Sequence, residues 1–144
     1  MGKEEADNDT PYAIIADDDV LIRMDAADIL QDAGFRVHEA CNVEDAIALL
    51  EQVADHVQLL FTDVQMPPST LTGFDLARRC AKDWPYVKIL VASGQIKPKI
   101  GDMPDGAVFV GKPFSADVIY DRLQELLPDG EQPEPIKRSR NRGD

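Results

Sequence analysis

The chain has 144 residues and carries 15 Lys and Arg against 27 Asp and Glu, a formal charge of −12 at pH 7, with 44% hydrophobic and 29% charged residues. That is enough apolar chain for one folded domain and too much for wholesale disorder. The acidic excess argues against nucleic acid or an anionic membrane as partner, because phosphate binding depends on clustered Lys and Arg; Mg²⁺ or a basic protein surface suits it better.

The longest apolar runs, such as 59–61 and 89–92, are far too short to cross a bilayer. The polar start Met1-Gly2-Lys3-Glu4-Glu5 lacks the apolar segment and cleavage site of a secretory signal, so a cytoplasmic protein is expected. Cys41 and Cys80 lie far apart without zinc-site spacing and are expected to be buried reduced thiols. Residues 1–11, which carry five charges, and 128–144, which open with Pro128-Asp129-Gly130, have the composition of disordered ends. The foldable domain is then 12–127. One lysine and four acids in the first eleven residues, and four charges of each sign in the last seventeen, leave −9 on that domain.

In chain order, the first predicted strand is the apolar run 12–16. Asp19 follows Asp17 and Asp18 as a helix N-cap. Ile22, Ala26, Ile29, Leu30 and Ala33 then recur at three-to-four spacing until Gly34 stops the helix. A strand at 35–38 leads to Asn42, the cap of a helix with Val43, Ile47, Leu50 and Ala54 on one face. A third strand at 57–62 precedes a helix that starts near Thr72, turns Leu76, Ala77 and Cys80 inward and ends before Pro85. After the fourth strand at 86–92, Pro98, Gly101, Pro104 and Gly106 leave a fourth helix little room, and irregular turns are expected over 95–106. The fifth strand, 107–110, is followed by Lys112-Pro113 and a last helix capped by Ser115, with Ile119, Leu123 and Leu126 inward and Pro128 as its stop.

This alternation predicts an α/β fold: a flavodoxin-like (βα)5 doubly wound parallel sheet of strand order 2-1-3-4-5, its fourth helix short or irregular. In such a sheet the active crevice lies beyond the carboxyl ends of the strands. There Asp17 and Asp18 from strand one should converge with Asp63 from strand three, and like charges so close repel unless a cation sits among them. Oxygen-only ligands at an exposed crevice suit Mg²⁺, and neither His nor Cys is placed to favour zinc. Ser93 and Lys112 enter from the other side. A hydroxyl and an ammonium beside a metal and a carboxylate can each cover one oxygen of a phosphoryl group, with Asp63 as the candidate nucleophile forming an aspartyl phosphate.

The segments Ile14-Ile15-Ala16-Asp17-Asp18-Asp19, Leu59-Leu60-Phe61-Thr62-Asp63-Val64-Gln65-Met66-Pro67, Gly73 with Leu76, Ile89-Leu90-Val91-Ala92-Ser93-Gly94 and Val108-Phe109-Val110-Gly111-Lys112-Pro113-Phe114 occur in order at suitable spacing. On these the sequence resembles the receiver domain of bacterial two-component response regulators, of the single-domain, chemotaxis-regulator kind, over about 12–127. The resemblance implies that Asp63 is the phosphoacceptor, taking phosphoryl from a sensor histidine kinase or histidine phosphotransfer protein. It implies that Mg²⁺ is held by Asp17, Asp18, Asp63 and the backbone carbonyl of Gln65. Lys112 would pair with the phosphoryl group, Ser93 would move toward it, and Phe109 would stand where the family has a switching aromatic. The bond before Pro113 is a cis-peptide candidate, since Lys-Pro is often cis at this place in the family.

The function so implied is a phosphorylation-controlled signalling switch of a phosphorelay. Its output is changed binding to a downstream protein or service as a phosphate sink, without nucleic acid or membrane. It is no enzyme beyond its own phosphorylation and dephosphorylation. The alternatives are a receiver-like protein-binding module that is not phosphorylated and an aspartyl-phosphate hydrolase, for which no second catalytic acid is visible. A nucleotide-binding module is disfavoured because no GxxxxGK or GxGxxG follows strand one. Two departures from the family pattern stand out. Five residues separate Pro67 from Gly73 where the family usually has three, so that loop should bulge, and the weakened fourth helix puts dimerisation through that face in doubt.

Several residues have plainer readings. Asp19 alone is better read as a cap than as a ligand, and Ser93-Gly94 is also ordinary turn chemistry. His38 and His56 flank the second helix and are read as structural or exposed. The cations of 137–142 without aromatics read as a solvated tail.

Overall fold

The computed structural model describes residues 11–127. The disorder expected of the two ends therefore falls outside the described residues, save for Pro11, whose carbonyl accepts the Arg36 N–H at 2.9 Å beside the first strand. Strands and helices alternate as β1 (Tyr12–Ala16), α1 (Val20–Asp32), β2 (Arg36–Ala40), α2 (Val43–Val53), β3 (Val57–Asp63), α3 (Gly73–Asp83), β4 (Lys88–Ser93), β5 (Val108–Gly111) and α4 (Ala116–Leu126). A 3-10 turn, Ala54–His56, joins α2 to β3.

All strand pairs are parallel, in the order β2-β1-β3-β4-β5. Continuous apolar runs occupy the centre because a parallel sheet is covered on both faces. Ile15, Leu59 and Leu90 face α1 and α4, packing with Leu30, Ile119 and Leu123. Ile14, Leu60 and Val91 face α2 and α3, packing with Leu50, Leu76 and Cys80.

Each helix starts where a short polar side chain can accept an orphan backbone N–H. Asp19 accepts from Leu21 and Ile22, Asn42 from Asp45, and Ser115 from Val118. Thr72 and Asp75 cap α3 reciprocally. On α1 and its C-cap, Ala26, Ile29, Leu30 and Ala33 are buried as predicted and Ala27 joins them, whereas Ile22 is half-buried near the start of the helix. Cys80 is buried as expected and its thiol is pushed up to about 12 by that burial. Cys41 is exposed, contrary to expectation, because it follows the last residue of edge strand β2 and turns to Asp45 at the start of α2.

β3, β4 and β5 each run one residue further than their apolar pattern, and β2 runs two further, to Ala40. β3 extends to Asp63 and β4 to Ser93, because Asp63 stays in register with Ala92 and Ser93 with Gly111. Neighbouring strands thus hold polar residues that the hydrophobic pattern alone places in a loop. Among the described residues no helix joins β4 to β5. Gly101 and Gly106 take positive φ, at 91° and 86°, which a right-handed helix does not accommodate. The sheet is covered there instead by Ile96, Met103 and Ala107, which pack with Phe109 against the α2 and α3 side of the core.

Candidate functional site

The carboxyl ends of β1, β3, β4 and β5 meet at one crevice. Asp17 follows β1 and is buried, Asp63 ends β3 and is buried, and Asp18 beside them is exposed. One carboxylate oxygen from each can be chosen so that all lie within 4.8 Å of one another. The Lys112 ammonium, carried in by the turn after β5, lies 2.9 Å from Asp17 Oδ2 and 3.0 Å from Asp63 Oδ1. A backbone bond fixes this approach, the Lys112 N–H donating to the Ser93 carbonyl at 3.0 Å; the Lys112–Pro113 peptide is cis.

Asp17 is held from three sides. Its Oδ1 accepts the Asp19 N–H at 2.9 Å, its backbone N–H donates to the Ala40 carbonyl, and its carbonyl accepts from Arg23 at 2.8 Å. Arg23 also pairs with Glu39 on β2. No local sequence signal points to Arg23, because its partners come from outside its own helix. On the other side, the Asp63 backbone carbonyl accepts from Thr62 Oγ1 and faces Gly73. A Cβ at Gly73 would lie 1.8 Å from that oxygen, so only glycine lets α3 begin this close behind Asp63.

The electrostatics follow from this packing. Burial raises the Asp63 pKa above the ordinary carboxylate value and nearby Asp17 raises it further, while hydrogen bonding and charge from Lys112 act against the rise. Burial works against the Lys112 ammonium, but its bonds to Asp17 and Asp63 outweigh that cost and leave its pKa raised. Lys112 is therefore a fixed cation at neutral pH.

Three carboxylates against this one ammonium leave the crevice formally two charges negative. All the clustered donors are carboxylate oxygens, which fits a hard divalent cation such as Mg²⁺ and not zinc. Gln65 lies two residues beyond Asp63 on the exposed loop.

Ser93 is buried at the end of β4, where its Oγ accepts the Ile96 N–H at 3.2 Å. Phe109 is half-buried in the layer with Ile96 and Met103. Asp19 caps α1, and His38 stacks on Tyr12 at the edge strand with ring centroids 4.9 Å apart. The long loop between β3 and α3 contains a cis Pro67–Pro68 bond, and Ser69 Oγ donates to Glu44 at the start of α2 at 2.7 Å. Gln65, Met66, Pro67, Ser69, Leu71 and Thr72 line an open groove of about 430 Å³ along it.

The family model described as the response regulator receiver domain matches residues 13–124. Among curated proteins the chain is 32% identical to the nitrogen assimilation regulatory protein NtrX of Azorhizobium caulinodans, over 79% of this chain and 26% of that one. It is 34% identical to the phosphate regulon transcriptional regulatory protein PhoB of Pseudomonas aeruginosa, over 79% of this chain and 50% of that one. The chain thus spans half or less of these relatives. Among solved structures, the receiver domain of NtrX from Brucella abortus superposes with a TM-score of 0.69 at 30% identity, covering 79% of this chain and 97% of that one. Chemotaxis protein CheY4 of Vibrio cholerae superposes with a TM-score of 0.70 at 24% identity, covering 82% and 99%, a likeness of fold. With that match and the strand-end carboxylates in place, the chain belongs to the response regulator receiver domain family.

Proposed function

We propose that this domain is a phosphorylation-controlled switch in which Asp63 accepts a phosphoryl group from a phosphohistidine of a sensor kinase or phosphotransfer protein. The observation that carries the reading is the placement of Lys112, within 3.0 Å of both Asp17 and Asp63 in a crevice with excess negative charge. An Asp63 carboxylate oxygen attacks phosphorus, the phosphorus–nitrogen bond of the phosphohistidine breaks, and the imidazole departs with a proton. Burial makes Asp63 more basic than a surface carboxylate, and Lys112 acts in the opposite direction by favouring its ionised, nucleophilic form.

As the acyl phosphate forms, the Lys112 ammonium pairs with a phosphoryl oxygen, and the Ser93 hydroxyl, on the neighbouring strand, turns to donate to another. Asp17, Asp18, Asp63 and the Gln65 carbonyl would hold Mg²⁺, which supplies neutralisation of phosphoryl charge. The protein catalyses only its own phosphorylation and dephosphorylation. The output is altered binding to a downstream protein, or service as a phosphate sink.

A cytoplasmic setting without nucleic-acid or membrane partners is part of this reading. It is supported by the charge of −12 and by the lack, among the described residues, of a helix long and apolar enough to cross a membrane. Beryllofluoride with Mg²⁺, a mimic of the phosphoryl group, tests the reading by NMR. Backbone shifts at Val64, Ser93 and Lys112 in the wild type, absent in Asp63→Asn, are expected. A protein that does not respond is a receiver-like binding module instead.

A further inference from the structure

The segment 94–107 takes the place of a helix, and two side-chain hydrogen bonds tie it to β4 and α3. The first is at its start, where Ile96 N–H donates to Ser93 Oγ. The second runs through α3. Gly73 abuts the Asp63 carbonyl and donates its N–H to the Val64 carbonyl at 2.7 Å. Thr72 and Asp75 cap the helix reciprocally, with Asp75 Oδ2 accepting the Thr72 N–H at 2.8 Å. One turn on, Arg78 donates one guanidinium nitrogen to Asp75 Oδ1 at 2.6 Å and the other to the Asp102 carbonyl, also at 2.6 Å. Asp102 closes its own turn, its Oδ2 and N–H both bonding to the backbone of Lys99.

We propose that Arg78 couples the loop after Asp63, through the cap of α3, to the 94–107 segment. The proposal rests on the reading of Asp63 as phosphoacceptor. A phosphoryl group on Asp63 shifts the loop against which Gly73 is packed, and the capping box passes that shift to Arg78 and Asp102. Arg78 is suited to this because a planar guanidinium bonds two acceptors in a fixed geometry, which a single ammonium reproduces poorly.

The test is amide hydrogen exchange and NMR on the wild type, Arg78→Met and Arg78→Lys, without ligand and with Mg²⁺ and beryllofluoride. In Arg78→Met the Lys99 and Asp102 amides should exchange on the order of tenfold faster than in the wild type, while the Cys80 amide within α3 keeps its protection. Beryllofluoride should still shift Val64 and Lys112 in this variant but no longer shift Lys99 and Asp102, with Arg78→Lys in between. Wild-type exchange and wild-type shifts at Lys99 and Asp102 in Arg78→Met overturn the coupling alone. Silence at Val64 and Lys112 in the wild type overturns the phosphoacceptor reading and the proposal with it.

Discussion

Gly73 stands so close to the Asp63 carbonyl that a Cβ on it would lie 1.8 Å from the oxygen. The start of α3 is thereby pinned to the residue at the centre of the site, and nothing larger than glycine fits without moving backbone against backbone. Gly73→Ala should cost about 1–3 kcal/mol of stability, the usual penalty of an overpacked site. It should also shift the Val64 and Asp63 amides. Chemical denaturation and NMR measure both, and an alanine variant of wild-type stability would mean that the loop yields more freely than this contact implies.

Asp63 is expected to be a liability to the metal-free fold at neutral pH. Its pKa is raised on folding, so its contribution to stability is present below the unfolded carboxylate range and is lost as pH rises through the folded value. In Mg²⁺-free buffer at pH 7, Asp63→Asn should therefore be more stable than the wild type. The advantage should shrink on acidification toward pH 4. Thermal melts across pH decide the sign, and an Asn variant less stable than the wild type at pH 7 would show that Lys112 more than compensates the burial.

Mg²⁺ should stabilise the domain by mass action, by ~2.7 kcal/mol at a hundredfold excess over its dissociation constant. Asp17→Asn should remove most of that gain, because Asp17 is the buried member of the cluster that faces Asp63. Calorimetric melts with and without the metal measure the effect, and equal gains in both proteins would take Asp17 out of the ligand set.

The capping box at α3 offers a smaller test. Thr72→Ala removes the acceptor for the Asp75 N–H and should cost ~1 kcal/mol. The Asp75 pKa is held down chiefly by the Thr72 N–H, so that residue's contribution is present above the ordinary carboxylate range and lost as pH falls through the lowered value. The Thr72→Ala variant keeps that N–H, so urea melts at pH 7 and pH 3 should show it and the wild type losing this contribution together on acidification, with the gap between them changing little.

What the sequence made legible was local or set by strand alternation. Asp19, Asn42, Thr72 and Ser115 read as caps because a cap is decided within three residues. Asp17, Asp18, Asp63, Ser93 and Lys112 read as one crevice because strand ends converge in a parallel sheet. Contacts between distant elements were not readable. Arg23 reaching Glu39, Ser69 reaching Glu44 and Arg78 reaching the Asp102 carbonyl all depend on the path of a loop or the rotation of a helix, which no periodicity encodes. Cys41 was misplaced for a related reason: it sits just past the end of edge strand β2 and turns its thiol to Asp45, which residue type alone does not reveal.

The most direct test of the central claim is intact-mass spectrometry after incubation with Mg²⁺ and a small-molecule phosphodonor. The account predicts that the wild type gains the mass of one phosphoryl group, that the adduct is lost on mild base as an acyl phosphate is, and that Asp63→Asn gains none. A wild type that stays unmodified, or an Asp63→Asn variant that is modified equally, would contradict it.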